Sequence, residues 1–335
     1  MERIGGETMV LYADLRERIE MFETMRNIAS LSGDFTIKTV KGSVYHYFQT
    51  TLSSGRTQIY IGRDCEEIRS LIEARKNGVK DVCLDEKMFQ RLAAQVIAGG
   101  VTPLMPDVAK IIRHMSDGAV FKLGGVVVGT VAYQILGAHL GVIWNDGTRM
   151  TQDVDFASDT RIAIAVPDLR ADVPGIIESL QMGFFPVPRL SHKEPSTSYA
   201  IRGKTLRIDL LTPSRRGVTA PIFIRRLNAA ATPLKYLDYL LEEPISAVMI
   251  SGTPCLVRVP QPARYALHKL ILSQERHATA ADKKKKDILQ AVSMLELLRA
   301  DHPGDIELAK ESLMKRGESW IKKLEAACKE ARITL

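Results

Sequence analysis

The stretch Gly147-Thr148-Arg149-Met150-Thr151-Gln152-Asp153-Val154-Asp155-Phe156 carries two carboxylates inside a strand pattern. Val154 and Phe156 alternate with Asp153 and Asp155, so Gln152 to Ala157 reads as a β-strand. Successive side chains of a strand point to opposite faces. The two carboxylates therefore share one face, roughly 6.5–7 Å apart at their Cα atoms. Such a pair repels itself, and a divalent cation held between its members relieves the repulsion. A lone Asp-x-Asp is a weak signal that a solvated strand edge would also produce.

The flanking sequence adds to it. Ala119 to Leu123 reads as a short apolar strand, and Gly124-Gly125 as the turn into an uncharged helix. Paired glycines let a backbone approach a phosphate closely, and a helix N-terminus favours anions. Downstream, Arg207-Ile208-Asp209-Leu210-Leu211 sets a third acid among apolar residues, in a strand predicted over Thr205 to Leu211. An unpaired carboxylate is unfavourable there. Paired strands lie about 4.8 Å apart, so a strand beside the first would bring Asp209 up to Asp153 and Asp155. Three acids on neighbouring strands are the type of ligand set that two Mg²⁺ ions need for an in-line phosphoryl displacement.

This order of Gly-Gly, helix, Asp-x-Asp and later acid resembles the nucleotidyltransferase superfold with DNA polymerase β-like chemistry. Within it, residues 147–156 resemble the Arg-x-Thr-x-Asp-(Ile/Val)-Asp-Phe stretch of bacterial minimal and abortive-infection (AbiE-type) nucleotidyltransferases. Arg264-Tyr265-Ala266-Leu267-His268-Lys269-Leu270, with Arg276 and Lys286-Asp287, is similar to their lysine-bearing helix and basic-Asp pair. The likeness covers roughly residues 115 to 295. It implies a nucleotidyltransferase-like mixed sheet with flanking helices. With the N-terminal helix and β-hairpin region and the C-terminal helical domain that periodicity marks, the expected class is α+β. The likeness also implies that Asp153 and Asp155 bind two Mg²⁺ ions, for which Mn²⁺ can substitute. Asp209 would bind the catalytic metal and help deprotonate the acceptor hydroxyl. Gly124 and Gly125 would hold the β- and γ-phosphates of an NTP, and Lys269 would neutralise the triphosphate. Asp287 would orient that lysine, with Thr151 as an auxiliary. The acceptor implied by the toxin-like relatives is RNA, such as a tRNA end, and an antitoxin or regulatory protein is an implied partner. A protein side chain is the rival acceptor, and a binding module with a retired transferase core is the rival class. Val126-Val127-Val128 departs from the pattern, because many relatives place a polar or basic residue near the phosphates.

The rest of the chain sets the frame. Its 335 residues are 45% hydrophobic and 25% charged, the balance of an ordered chain with a real core. We expect domains at 1–110 (helical with a β-hairpin), 111–260 (catalytic core) and 261–335 (helical). The net charge of +7 is uneven: zero over 1–110, +1 over 111–215 and +6 over 216–335. The basic excess thus lies beyond Asp209, where it would face the triphosphate and acceptor. Four scattered cysteines argue against a disulfide framework or a zinc knuckle and suggest a reducing, cytoplasmic setting. Residues 1–20 hold no secretory signal. Leu123 to Asn145 carries no formal charge and is long enough to cross a bilayer. Its glycines and polar residues favour a buried soluble helix, so no membrane partner is expected.

Other motifs lose on chemistry. Gly124 and Gly129-Thr130 have P-loop spacing, but Thr130 stands where the phosphate-gripping lysine must be, and no G-x-G-x-x-G is present. The seven histidines include no H-x-x-x-H, and His139 reads as a core residue. Lys269 is either a phosphate ligand or an exposed helix position. Arg149 is either a phosphate contact or a partner of the acidic cluster. The Lys283 to Lys286 run is a solvated face or an acceptor contact. Tyr45, Tyr47 and Tyr60, near Lys38, Lys41, Arg56 and Arg63, either stack bases or pack on a neighbouring helix.

Overall fold

Burial of one helical stripe organises the N-terminal part. After a short strand β1 (Glu2–Arg3), helix α1 (Gly6–Ala29) buries Tyr12, Leu15 and Ile19, which recur at helical spacing. A three-stranded antiparallel sheet follows, built from β2 (Gly33–Val40), β3 (Ser43–Leu52) and β4 (Gly55–Arg63). Phe48 and Ile61 on its inner face pack with Ile68 and Ile72 of helix α2 (Glu66–Lys76). Helix α3 (Glu86–Ala98) then packs along α1. The computed structural model describes residues 1–29, 33–40, 42–52, 55–76, 86–145, 147, 153–160, 170–189, 194–215 and 218–335.

The middle of the chain builds a mixed sheet. Its elements are α4 (Pro106–Asp117), β5 (Gly125–Val128), α5 (Gly129–His139), β6 (Val142–Ile143), β7 (Asp153–Ser158), α6 (Val173–Ser179) and β8 (Phe184–Pro186). They continue with β9 (Ser198–Ile201), β10 (Arg207–Pro213), β11 (Ile222–Ile224), β12 (Ala229–Leu234) and α7 (Leu237–Leu240). A hairpin of β13 (Ile245–Met249) and β14 (Cys255–Val259) closes this part. The sheet order is β11-β12-β10-β7-β5, with β10 parallel to both β7 and β12 and β5 antiparallel to β7. β9 pairs with the first half of β10, on the side that β12 takes further along, and β8 pairs with β9.

The tail is helical: α8 (Pro262–Glu275), α9 (Ala281–Asp301), α10 (Pro303–Met314) and α11 (Glu318–Ala331). Pro262 sits in the first turn of α8, and the Gln261 side chain caps it by accepting from the Arg264 N–H at 2.8 Å. α8 is buried almost all round, which makes it the axis of the tail. One hydrophobic cluster runs from Leu104 to Ala327, so the sheet, α8 and the last helices share a core.

The α+β class agrees with the expectation, but several local assignments change. The uncharged Leu123–Asn145 stretch is not one helix. It divides into a turn, β5, the 11-residue α5 and β6, and among the described residues no helix is long and apolar enough to cross a membrane. Residues 119–124 form turns rather than a strand, because the apolar strand is β5, which begins at Gly125, six residues later than expected. The N-terminal hairpin gains a third strand, β2, whose Phe35 packs beside Phe48. The helical patterns of residues 66–97 are described as α2 and α3, and the strand pattern at 161–166 lies outside the described residues. Tyr45, Tyr47 and Tyr60 share the face opposite Phe48, with Tyr60 exposed and Lys38 4.7 Å from the Tyr47 ring centroid.

His139 ends α5 with Nδ1 3.5 Å from the Tyr12 hydroxyl, and burial, reinforced by Arg16 and His302, pushes its pKa down to about 4. The unfolded chain therefore takes up this proton first, so its share of stability is present at pH 7 and drains away between about pH 6.5 and 4. His268, pushed down to about 3, acts in the same direction. We predict a loss of about 1–2 kcal/mol per histidine between pH 7 and 5 in urea unfolding. His139→Gln should shrink that difference, and an unchanged pH dependence would show that His139 does not contribute.

Candidate active site

Parallel pairing of β7 with β10 puts Asp209 directly opposite Asp155, and Arg207 opposite Asp153. Directly paired residues project from the same face of a sheet, so the three carboxylates and Arg207 lie together. Burial pushes the Asp155 carboxyl up to about 7, and the charges of Asp209 and Asp153 push it the same way, against the pull of Lys269 and Lys283. Asp209 is held by two donors on one oxygen: Ser198, its partner on β9, donates its hydroxyl to Oδ1, and Arg207 Nε donates to the same atom at 3.0 Å. Oδ2 carries neither bond.

The turn from β5 into α5 abuts this cluster. Val128, the last residue of β5, pairs with Asp155, and Gly129 follows with φ +68°. A Cβ at position 129 would stand 2.4 Å from Asp155 Oδ2, so only glycine admits both the backbone conformation and the carboxylate. Gly129 and Thr130 thus form the helix N-terminus beside the acids. Gly124-Gly125, read from sequence as that turn, are displaced from it. Gly125 pairs with Ser158, three residues along β7 from Asp155, roughly 10 Å away. The physical reason is the register: Val126 to Val128 is the strand itself, fully buried, which also accounts for the apolar residues found where a phosphate contact was expected.

Helix α8 closes the other wall. Tyr265 donates its hydroxyl to the Gly129 carbonyl at 3.1 Å, and the same oxygen lies 3.0 Å from Gln290 Oε1. One turn on, buried Lys269 pairs with buried Asp287 at 2.7 Å, and Arg276 takes the other Asp287 oxygen at 2.9 Å. His268 stays neutral, because burial and then the neighbouring Lys269 charge push its pKa down. The resulting cleft is about 610 Å³. The acids and the Gly129 turn line one side, with Lys269, Arg276, Lys283 and Lys286 across from them, and Leu237, Leu240 and Leu272 supply an apolar wall.

Asp153, Asp155, Asp209, Lys269 and Asp287 therefore meet at one cleft. Gly124 and Gly125 do not, and Arg149 and Thr151 lie outside the described residues. Among the described residues no three carboxylate, imidazole or thiol groups already close into a metal-binding arrangement. Sequence reasoning missed Gly129, Thr130, Ser198 and Tyr265 as site residues. A usable signal existed for the first two, since a Gly-hydroxyl pair directly follows a Val-Val-Val strand.

Compared with known families, residues 106–315 match a family model described as nucleotidyltransferase. The chain belongs to this nucleotidyltransferase family. No curated protein and no solved structure matches it. The matched region contains the whole acid cluster, the Gly129 turn, Lys269 and Asp287, so family membership and cleft geometry concern the same residues.

In this nucleotidyltransferase the Lys269–Asp287–Arg276 triad is largely buried, and removing its one anion strands two cations. We predict that Asp287→Ala lowers stability by about 3 kcal/mol in denaturant unfolding. Pairing it with Lys269→Met should recover part of that loss. A single variant as stable as the parent would mean that the triad is not formed in solution.

Proposed function

We propose that the chain transfers a nucleoside monophosphate from an NTP to a hydroxyl of an RNA acceptor, releasing pyrophosphate, with Mg²⁺ or Mn²⁺ as cofactor. The observation that carries this reading is the Asp155–Asp209 register pair, with Asp153 two residues away, beside the Gly129 turn and facing Lys269 across one cleft. The residues fit a divalent cation: hard oxygen donors crowd together, and burial, with the charges of Asp209 and Asp153, pushes the Asp155 carboxyl up to about 7 despite Lys269 and Lys283. Asp153 and Asp155 would hold two ions, with Asp209 on the catalytic one. Bound there, such ions supply charge neutralisation and polarise the α-phosphoryl group.

The chain's own groups do the rest. Backbone N–H groups at Gly129 and Thr130, together with the α5 dipole, receive the β- and γ-phosphates in place of Gly124 and Gly125. Lys269 adds positive charge, and Asp287 orients it. Lys283, Lys286 and Arg276 extend the cationic wall. The acceptor oxygen attacks the α-phosphorus in line as the bond to the bridging oxygen of pyrophosphate breaks. Asp209 accepts the hydroxyl proton on Oδ2, while Ser198 and Arg207 hold Oδ1 and so fix the carboxylate plane. An RNA acceptor is supported by the +6 charge of residues 216–335 and by the sequence likeness to toxin-like relatives.

Incubation with each labelled NTP, Mg²⁺ and total RNA should label RNA. Asp153→Asn and Asp209→Asn should abolish labelling while the chain remains folded, because each removes like-charge repulsion. Millimolar Mn²⁺ should raise the melting temperature of the parent and not that of Asp155→Asn. No transfer to RNA, protein or small molecules with any of the four NTPs would overturn the reading.

A further inference from the structure

The sheet continues past the acids, and its register says with what. Arg207 pairs with Asp153 on one side and with Ala200 on the other, and Ala200 pairs with Phe185. Asp153, Arg207, Ala200 and Phe185 thus form one row across β7, β10, β9 and β8, on the face that carries the carboxylates. The next row is Asp155, Asp209 and Ser198. Three strand spacings put Phe185 roughly 14 Å from Asp153.

Along this row the chemistry changes. Negative charge ends at Asp153 and Asp209, and guanidinium groups begin. Arg207, its side chain 43% exposed, gives its Nε to Asp209. Exposed Arg202, in the turn that follows β9, lies 5.6 Å from the Phe185 ring centroid, and Lys204 two residues on is exposed as well. Phe184 packs on the core, whereas Phe185, its neighbour on the strand, turns to the opposite face. Small Ala200 leaves a shallow floor between the ring and Arg207.

A triphosphate seated on the Gly129 turn and Lys269 occupies the β5 and α8 side of the acids, which leaves the β8–β9–β10 side for the acceptor. We infer that this face binds the 3′-terminal nucleotides of a single-stranded RNA acceptor, with Arg207 and Arg202 neutralising backbone phosphates and Phe185 stacking a base. This rests on the RNA-transfer reading above. An aromatic face flanked by guanidiniums matches a base between phosphates. A protein hydroxyl brings no such repeat of negative charge. The continuity of the row with the reacting acids puts the strand's end, rather than its middle, at Asp209.

The test is fluorescence anisotropy of a 5′-labelled single-stranded RNA with a free 3′-hydroxyl, titrated with the full chain at several salt concentrations without NTP. Phe185→Leu should weaken binding about 10-fold and leave the salt dependence unchanged. Arg202→Ala should reduce the slope of log K against log salt by about 0.7, and Arg202→Lys should keep it. In transfer assays the RNA KM should rise while the NTP KM holds. Phe223→Ala, which removes an exposed ring on the far β11 edge, should change neither. Folded variants that bind RNA like the parent would overturn the inference, as would a parent chain that binds no single-stranded RNA. Variants that lose RNA binding in a chain that transfers no nucleotide would sustain the surface and overturn only the transfer reading.

Discussion

Two like charges forced into direct register are the constraint on which the rest of this structure turns. Parallel β7 and β10 place Asp155 against Asp209 at one strand spacing, with Asp153 alongside. Burial raises the proton affinity of Asp155, and the charges of Asp209 and Asp153 raise it further. Much of the surrounding architecture manages that charge. Ser198 and Arg207 take one oxygen of Asp209, Gly129 gives Asp155 room against a bare Cα, and Lys269 and Lys283 draw the Asp155 pKa downward from across the cleft.

The cationic wall is coupled to the acids through packing. Trp144 stacks on Tyr133 at 4.5 Å, and Tyr133 on Tyr265 at 6.0 Å. Lys269 lies 5.5 Å from the centroid of the Tyr265 ring. Trp144 donates its indole N–H to the Tyr133 carbonyl at 2.8 Å, and Tyr265 bonds the carbonyl of Gly129. Helix α8 is thereby tied to the β5–α5 turn by rings that allow little sliding. The buried Lys269–Asp287–Arg276 triad anchors α8 to α9 in turn. A cleft between the sheet and a helical tail keeps its shape because both walls belong to one core.

Much of this was legible in the sequence where a pattern was local. Alternation around Asp153 and Asp155 marked a strand, and Asp209 among apolar residues marked another, because both signals sit within a few residues. The helical tail was equally plain. Short, polar or alanine-rich strands were not. β9, β11 and β12 carry little pattern of their own and exist through pairing with neighbours distant in sequence. The Gly124-Gly125 reading failed for a related reason. Two adjacent glycines look like the turn, yet the residues that fill the strand are the three valines after them.

The amino-acid order by itself marked the two acid-bearing strands and the helical tail, because charge and periodicity are properties of neighbouring residues, while its resemblance to nucleotidyltransferases carried the fold and the lysine-bearing helix. Tertiary structure alone decided which glycine meets the carboxylates, since that depends on a one-strand register and an approach so close that an added Cβ would stand 2.4 Å from Asp155 Oδ2. It also decided that Ser198 and Arg207 share Asp209 Oδ1, and that the acid row continues through Ala200 to Phe185. Those facts come from pairing between strands far apart in the chain, where backbone hydrogen bonds and a common core set the alignment.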